Sequence, residues 1–513
     1  MVANIINIEN EKTKKSRIVS YEEALELIGF GQVQIEVLFA MGFTLMDVIT
    51  ETMGIGNLIP PATCDLNLTG TTKGLLTSMV FFGIVFSSYI FGYLGDTKGR
   101  RYVIIRTLLL AKVFTFIAVF VQNVTIFMAC RFITGIFLGG YSGVMWAYLG
   151  EFNTSKYRPA ILSWVGVFIG VGYTGIPFIA HLLNGYDWRF ALYTGYEFRP
   201  WRLGLMIYAV PGIIGLLFCI RLPESPKYLL SIKKDNEAYQ AVEWIHKVNK
   251  GNVKHADFDI KALKTEDSAT VNDFKGLKGI VISLIDQTIP LVKPPYLLPF
   301  IACCMLQFGT FFISAGLGLF LPDILNKLSK YRDETCDVGS ECVYHVCDVA
   351  GYDFHQDMNI TANNEICNDS VDSSVYEKMI VLGSVYICMY VVIAAVMNRQ
   401  RRKYIIAITF ILSSTFGFIL PFVYNQMFIT ISFILTIITA GMNITLINGA
   451  ACDIFPTYLR SMAVSVSMLV GRFGSTVSSN ILGNLLDEYC YFTYNVCAVV
   501  ALICFAMSFI VTK

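Results

Sequence analysis

Charge is scarce in this sequence. Asp, Glu, Lys and Arg make up 15% of its 513 residues, against roughly 25% in an ordinary soluble protein. At about 150 residues per domain the length alone would allow three soluble domains. With hydrophobic residues at 55%, that reading fails, and fibrous and disordered classes fail with it. A surplus of one sign is also missing: 39 basic residues face 38 acidic ones, so nothing points to a nucleic-acid partner. Catalytic signatures are absent too. There is no GxxxxGK[ST] phosphate loop, no HExxH pair and no nucleophile motif near a plausible base, which argues against an enzyme. No cofactor or metal is expected.

What the chain has instead is long charge-free runs, at 74–95, 132–150, 203–220, 294–322, 379–398, 404–452 and 489–512. A span takes about 20 residues, and the run 404–452 is long enough to fold back near Pro421. Twelve transmembrane helices follow, near 33–58, 74–95, 102–122, 126–150, 160–183, 203–221, 297–321, 376–397, 404–423, 428–452, 461–486 and 490–511. The first run begins after about 30 polar residues and carries Asp47 and Glu51, so it is not a cleavable signal peptide.

Basic residues set the expected orientation. They gather at Lys12, Lys14, Lys15 and Arg17, at Lys98, Arg100 and Arg101, at Lys156 and Arg158, along 221–278, at Arg399, Arg401, Arg402 and Lys403, and at Arg460. All share one side if both termini are cytoplasmic. The glycosylation acceptors Asn67, Asn359 and Asn368 then fall on the other side. So do four of the 14 cysteines, Cys336, Cys342, Cys347 and Cys367. In an oxidising compartment they would form two disulfides, in one of three pairings. A zinc site with His345 and His355 is disfavoured, since the spacing matches no familiar finger.

The halves repeat. A shift of 302 residues lays Arg100-Arg-Tyr-Val-Ile-Ile on Arg402-Lys-Tyr-Ile-Ile-Ala, Glu151 on Asp453, Arg158 on Arg460, Gly139 on Gly441 and Gly172 on Gly474. The expected fold is therefore an all-α membrane protein of two six-helix bundles related by a pseudo-two-fold. Its parts are a cytoplasmic N-terminal segment 1–32, a first bundle 33–221, a cytoplasmic connector 222–296 and a second bundle 297–513, with a Cys-rich, glycosylated loop at 323–376. Such halves meet along a central cavity and rock about a site near the bilayer midplane.

Several motifs resemble a known superfamily. Gly95-Asp-Thr-Lys-Gly-Arg-Arg101 is similar to the major facilitator loop between helices two and three, and the stretch from Arg131 through Gly135, Gly139 and Gly140 to its fourth-helix motif. Pro223-Glu-Ser-Pro226 resembles the sugar- and organic-ion-porter signature. The segment 21–32, Tyr186-Asp-Trp-Arg189, Tyr196, Trp201-Arg202 and Asp235-Asn-Glu-Ala-Tyr239 together resemble the synaptic vesicle glycoprotein 2 and related-protein family. The resemblance runs over nearly the whole chain and implies the major facilitator fold. Two features depart from it. The long luminal loop of repeats after helix seven is reduced here to 323–376, and the long charged N-terminal region to about 20 residues before Tyr21. Protein partners of those segments are not carried over.

Asp47 and Glu51 lie four apart, on one face of the first helix. Asp47 sits about 20 Å along it from Gln34. A carboxylate at that depth costs several kcal/mol unless it faces a wet cavity, pairs with a cation or holds a proton. Both are read as coupling groups, with a fixed ion pair as the alternative, or for Glu51 a place near the outer mouth. Arg472 lies about 16 Å into its helix, and its guanidinium cannot lose its charge. It is read as a substrate or coupling contact rather than a counter-ion to Asp47 or Glu51. The resemblance adds that family members carry a basic residue in helix eleven. Arg131 either exchanges pairing partners, as the resemblance implies, or snorkels to the interface. Tyr141, Trp146, Asn443 and Asn448 lie deep enough to line a cavity.

The loop 95–101 reads as a gate. Gly95 and Gly99 permit a tight turn, and Asp96 offers its carboxylate to a cation or a helix N-terminus across the half-interface. Arg100 and Arg101 flank it. Glu151 with Arg158 would form a charge relay, with Asp453 and Arg460 as its counterpart. Asn398 stands at the position of Asp96 in the second half and Arg401 at that of Gly99, so gating would be lopsided. The stretch 236–250 reads as an amphipathic helix on the cytoplasmic face.

Three functions compete. The first is a secondary transporter of a small organic solute (an organic ion, carboxylate or sugar-like molecule) by alternating access, with proton symport through Asp47 or Glu51 as a rider. The second is a vesicle-type glycoprotein that keeps the transporter fold but mainly binds or regulates. An enzyme is the third and weakest. The expected partners are the lipid bilayer, the solute and protons, in a plasma or vesicle membrane.

Overall fold

The computed structural model describes residues 17–183, 186, 188–193, 196–250, 260–264, 288–335, 344–350, 371–396, 399–455, 457–486 and 488–511. Helices account for nearly all of them, as a bilayer requires, because a backbone in hydrocarbon must satisfy its own hydrogen bonds. The first half contains α1 (Tyr21–Ile28), α2 (Gln32–Ala62), α3 (Gly70–Lys98), α4 (Arg100–Val119), α5 (Val124–Glu151), α6 (Arg158–Trp164), α7 (Val167–Leu183), α8 (Pro200–Tyr208) and α9 (Val210–Arg221). The connector adds α10 (Pro226–Ser231) and α11 (Asp235–Lys250). The second half contains α12 (Leu297–Thr335), α13 (Val346–Ala350), α14 (Ser373–Val396), α15 (Arg399–Ile419), α16 (Gln426–Gly441), α17 (Asn443–Ile454), α18 (Thr457–Leu485) and α19 (Cys490–Val511).

Among the described residues, eleven spans are long and apolar enough to cross a membrane. The remaining one of the twelve is α18, 29 residues long. Its polar side is turned into protein: Ser475, Ser478 and Ser479 are fully buried, so mean apolarity understates its place. Pro211 in the first turn of α9 goes with the break that splits α8 from α9. One boundary differs from expectation. α12 runs straight through Pro322 to Thr335, so residues 323–335, expected as loop, are helix.

The two bundles touch along α3 with α18, α7 with α14 and α2 with α12. At the Lys73 end the contact is tight. A Cβ on Gly483 would lie 3.0 Å from the Cα of Gly74, so only glycine lets these backbones meet. Asn480 donates to Ser78 Oγ at 3.0 Å, and Lys73 pairs with Asp323 at 3.5 Å, both across the halves. Asn67 lies exposed at this same end.

The opposite, Lys98 end carries the extramembrane layer. There β1 (Arg17–Val19) pairs in parallel with β4 (Ile260–Leu263); the separate antiparallel hairpin of β2 (Phe190–Tyr193) and β3 (Tyr196–Phe198) joins α7 to α8 at the Lys73 end. The expected amphipathic helix is α11, which buries Ala238, Ala241, Val242 and Ile245. The Asn249 side chain accepts from Val33 N at 2.8 Å and donates to Gln34 Oε1 at 2.9 Å, tying α11 to the start of α2.

Candidate functional site

Behind the central cavity lies a closed cluster of charges. Asp47 and Glu51 project from α2, Lys112 and Thr115 from α4, Arg131 and Tyr141 from α5. Lys112 Nζ bridges the carboxylates, 2.5 Å from Asp47 Oδ1 and 2.6 Å from Glu51 Oε1. Arg131 Nη1 meets Glu51 Oε2 at 2.7 Å, and its Nη2 donates to the Glu51 carbonyl at 2.5 Å. Thr115 donates to Glu51 Oε1 at 2.8 Å and Tyr141 to Asp47 Oδ2 at 2.6 Å. Two cations answer two anions, and all four are buried. The α9 backbone closes the cluster: a Cβ on Gly212 would sit 2.5–2.8 Å from the Asp47 carboxylate atoms.

This arrangement decides several expectations. Asp47 and Glu51 pair with cations and do not line the cavity; their neighbours Val48 and Thr52 line it instead. Glu51 is not at an outer mouth. Arg131 does not snorkel, since its partner is Glu51. The counter-ions are Lys112 and Arg131, so Arg472 is not the counter-ion of either carboxylate. Lys112 itself was missed. The signal was a lysine inside an apolar run, opposite two unexplained carboxylates.

The central cavity, about 30 Å³, has room for about two waters. Both halves wall it, with Trp146, Tyr173, Phe311, Tyr386 and Arg472 among the lining residues. The rings of Tyr173 and Tyr386 stack across the half-interface at 4.9 Å. The Arg472 guanidinium lies 5.1 Å from the Phe311 ring centre, and the side chain is 6% exposed. Among the described residues no carboxylate pairs with it. Burying a guanidinium without a counter-charge costs several kcal/mol.

A second cavity, about 240 Å³, opens towards the Lys98 end between Arg100, Glu151, Arg158, Lys227 and Asn448. Trp146 lines both cavities and stands between them. Asn448 faces this second cavity and accepts from Gln307 Nε2 at 2.8 Å. Asn443 lines neither: its amide is engaged with Thr409 at 2.9 Å and Thr439 at 3.1 Å inside the second half.

The gate residues cluster, though with other partners than expected. Arg100 pairs with Asp96 at 2.9 Å and with Glu151 at 3.3 Å. Asp96 thus binds a cation of its own half, four residues on, and not across the interface. Glu151 has Arg100, not Arg158, as its cation. Arg158 turns back to donate to the Gly150 carbonyl at 3.0 Å and the Asn153 carbonyl at 3.1 Å, closing the end of α5, and lies 3.8 Å from Glu22. Burial pushes the Glu22 carboxyl up, but hydrogen bonds from Ser155 and the Arg158 charge outweigh it and hold the group below its ordinary value. Gly95 packs on Val144. Gly99 has φ +109° and its α-hydrogens face the Glu224 carboxylate, which caps α4 by accepting from the backbone of Arg101 at 3.0 Å and Tyr102 at 3.3 Å. The Arg101 guanidinium closes the end of α9 through the Cys219 and Ile220 carbonyls.

At the Lys73 end Cys347 is disulfide-bonded to Cys490, 143 residues on, and not to another loop cysteine. Cys64 is disulfide-bonded as well. Cys336, Cys342, Cys367, Asn359, Asn368 and Asn398, and the side chains of Arg401, Asp453 and Arg460, lie outside the described residues.

Known proteins share the family and the fold. The family model for sugar (and other) transporters matches residues 27–335, more than half of the chain, which therefore belongs to that family. Synaptic vesicle glycoprotein 2B of Homo sapiens is 27% identical over 368 residues, covering 68% of this chain and 53% of that protein. Synaptic vesicle glycoprotein 2A of Rattus norvegicus is 26% identical over 376 residues, covering 70% and 49%. The chain thus spans about half the length of the curated relatives it matches. Among solved structures, the major facilitator proton:xylose symporter XylE bound to 6-bromo-6-deoxy-D-glucose superposes with TM-score 0.62 at 14% identity, over 92% of this chain and 94% of that one. The partially occluded inward-open form of XylE from E. coli gives 0.61 at 13%, over 93% and 98%. The fold is that of the major facilitators, and the protein is a multi-pass membrane protein.

Proposed function

We propose that the chain is a secondary active transporter that carries a small organic anion by alternating access, coupled to protons through Asp47. The observation that carries the substrate class is Arg472, a buried cation facing a cavity between the halves with no carboxylate of its own among the described residues. An anionic group on the substrate would supply the missing charge, and the aromatic walls would hold its carbon skeleton. The family's description, sugar (and other) transporter, and the name of the xylose symporter support transport of a solute without fixing which.

Asp47 is the more loosely held of the two carboxylates. It has Lys112 and Tyr141, whereas Glu51 has Lys112, Arg131 and Thr115. A proton arriving on Asp47 frees Lys112 to settle on Glu51, and the cluster then carries one net positive charge. With the positive-inside assignment, the Lys98 end is cytoplasmic. Contact is tight at the other end, and the 240 Å³ cavity makes this a state closed outside and partly open inside. The small central cavity favours one other reading, a binding or regulatory glycoprotein.

Flux in proteoliposomes decides. Accumulation of a labelled aromatic or aliphatic carboxylate, driven by a pH gradient, is the expected result; no flux for any carboxylate, organic cation or sugar would refute transport. Arg472→Ala should raise the apparent substrate constant about tenfold or more, the worth of one charge-assisted contact. Asp47→Asn should abolish dependence on the pH gradient while leaving exchange measurable.

A further inference from the structure

A groove of about 420 Å³ lies away from both cavities, between the start of α4 and the connector at the Lys98 end. Four basic side chains line it, Lys98, Arg101, Arg106 and Lys234, against Glu224 and Glu237. Both carboxylates are already engaged. Glu224 accepts from the Arg101, Tyr102 and Ser225 backbones, and Glu237 pairs with Lys234 at 2.8 Å. Arg101 serves the end of α9. That leaves Lys98 and Arg106, both exposed, with no ion-pair partner among the described residues. The Arg106 guanidinium lies 4.1 Å from the Tyr102 ring centre, which presents its charge in a fixed place.

A second observation says what comes to these charges. Below Tyr102 and Arg106 the exposed stripe of α4 turns wholly apolar: Leu109 is 50% exposed, Val113 44% and Ile117 45%. These positions fall at helical spacing on one face, so the stripe faces acyl chains. A tyrosine and two free cations at its end mark the headgroup level. Ile232, exposed on the connector side, supplies a further apolar edge.

We propose that this groove binds the phosphorylated headgroup of an anionic membrane lipid, with the acyl chains lying along the Leu109–Val113–Ile117 stripe. Lys98 and Arg106 meet the phosphates, and Lys234 exchanges Glu237 for them. By the basic-residue assignment the groove opens to the cytoplasmic leaflet, where anionic lipids concentrate. A lipid there would also tie the connector to α4 beside the Asp96–Arg100–Glu151 gate.

The test uses the purified full chain in neutral detergent and a fluorescent dioctanoyl phosphatidylinositol 4,5-bisphosphate. Saturable binding is expected, displaced by the unlabelled lipid and not by dioctanoyl phosphatidylcholine. Inositol 1,4,5-trisphosphate, the headgroup without chains, should compete about tenfold or more less well, because it cannot use the apolar stripe. Lys98→Gln with Arg106→Gln should weaken binding about tenfold or more, and Lys98→Arg with Arg106→Lys should restore it. Both side chains are exposed, so the core is untouched. Should the paired Gln variant lose monodispersity, Lys98→Gln alone, expected to weaken binding about threefold or more, decides. Unchanged affinity in the Gln variants would overturn the site. Equal competition by inositol trisphosphate would overturn the lipid and assign the groove to a soluble phosphate.

Discussion

Lys112 holds the buried cluster neutral, and its removal has a consequence that only this geometry predicts. In Lys112→Met, Asp47 keeps the Tyr141 hydroxyl alone, while Glu51 keeps Arg131 and Thr115. One uncompensated buried negative charge remains. Breaking a buried pair by deleting one partner costs about 3–5 kcal/mol. Adding Asp47→Asn removes the excess charge, and the amide oxygen still accepts from Tyr141. The remaining cost is then mainly the lost hydrogen bonds and altered packing, about 1–2 kcal/mol. The double variant should therefore be about 2 kcal/mol more stable than Lys112→Met alone, a coupling well outside the scatter of independent sites. Glu51→Gln cannot substitute for Asp47→Asn. In the background of Lys112→Met it leaves Asp47 without a cation and Arg131 without an anion. Thermal midpoints of the full chain in detergent, followed by fluorescence size-exclusion, give the order of the wild type and the three variants. A double variant no more stable than Lys112→Met, or equal rescue by Glu51→Gln, would refute the bridging role of Lys112.

Gly212→Ala places a methyl within 2.5–2.8 Å of the Asp47 carboxylate atoms, so it should cost about 1–3 kcal/mol as overpacking and depress flux; an unchanged melting midpoint would contradict the close approach of α9. Cys347→Ser should free Cys490, so a maleimide reagent applied to denatured, unreduced protein labels Cys490 in the variant and not in the wild type, and an unlabelled Cys490 would deny the pairing. Asp372 starts α14, where burial pushes its carboxyl up but hydrogen bonds from Ser329 and Ser374 outweigh this and hold it below its ordinary value. Its contribution is therefore full above the usual carboxylate pKa of about 4 and fades as pH falls through the lowered value. The melting gap between wild type and Asp372→Asn should close on acidification below about pH 4, and a gap that widens there would reverse the sign.

The helices were legible because the bilayer allows so few solutions. Runs free of charge over about 20 residues must span or be buried, and the repeat at 302 residues paired them into halves. Intramembrane charges could be flagged one at a time, as Arg472 was. Their partners could not. Lys112 is 65 residues from Asp47 and 61 from Glu51, and nothing in the sequence itself ties this intramembrane lysine to either carboxylate. Only the packing of α4 against α2 turns it inward. Proximity in sequence misled in two other places. Glu151 and Arg158 sit seven apart, yet Arg158 is taken by the open carbonyls at the end of α5. Cys347 has loop cysteines nearby, yet the start of α19 brings Cys490 against it. In both cases local orphan groups or tertiary placement won over spacing. The Asn443 amide went the same way, since a buried amide with backbone carbonyls in reach satisfies itself.

The distribution of satisfied and unsatisfied charge between the halves bears on how the molecule moves. In the first half, Asp47, Glu51, Lys112 and Arg131 answer one another through bonds made entirely within one bundle. Such a cluster travels with its bundle, so rocking the halves does not by itself separate these pairs. Arg472 is placed oppositely: it belongs to the second half, at the interface, and finds no internal carboxylate among the described residues. Its electrostatic cost depends on what enters the cavity, and a ligand that relieves it favours the conformation in which the cavity closes around that ligand. On the proposed coupling, protonation would change the charge of this neighbour, and Tyr141, hydrogen-bonded to Asp47 on the helix that also carries the cavity residues Ser142 and Trp146, is a hydrogen-bonded link between the two. A Tyr141→Phe variant should keep the fold, lose the hydrogen bond to Asp47, and shift the pH dependence of flux more than the substrate constant. If it raises the substrate constant and leaves the pH profile in place, coupling does not pass through Asp47 and Tyr141.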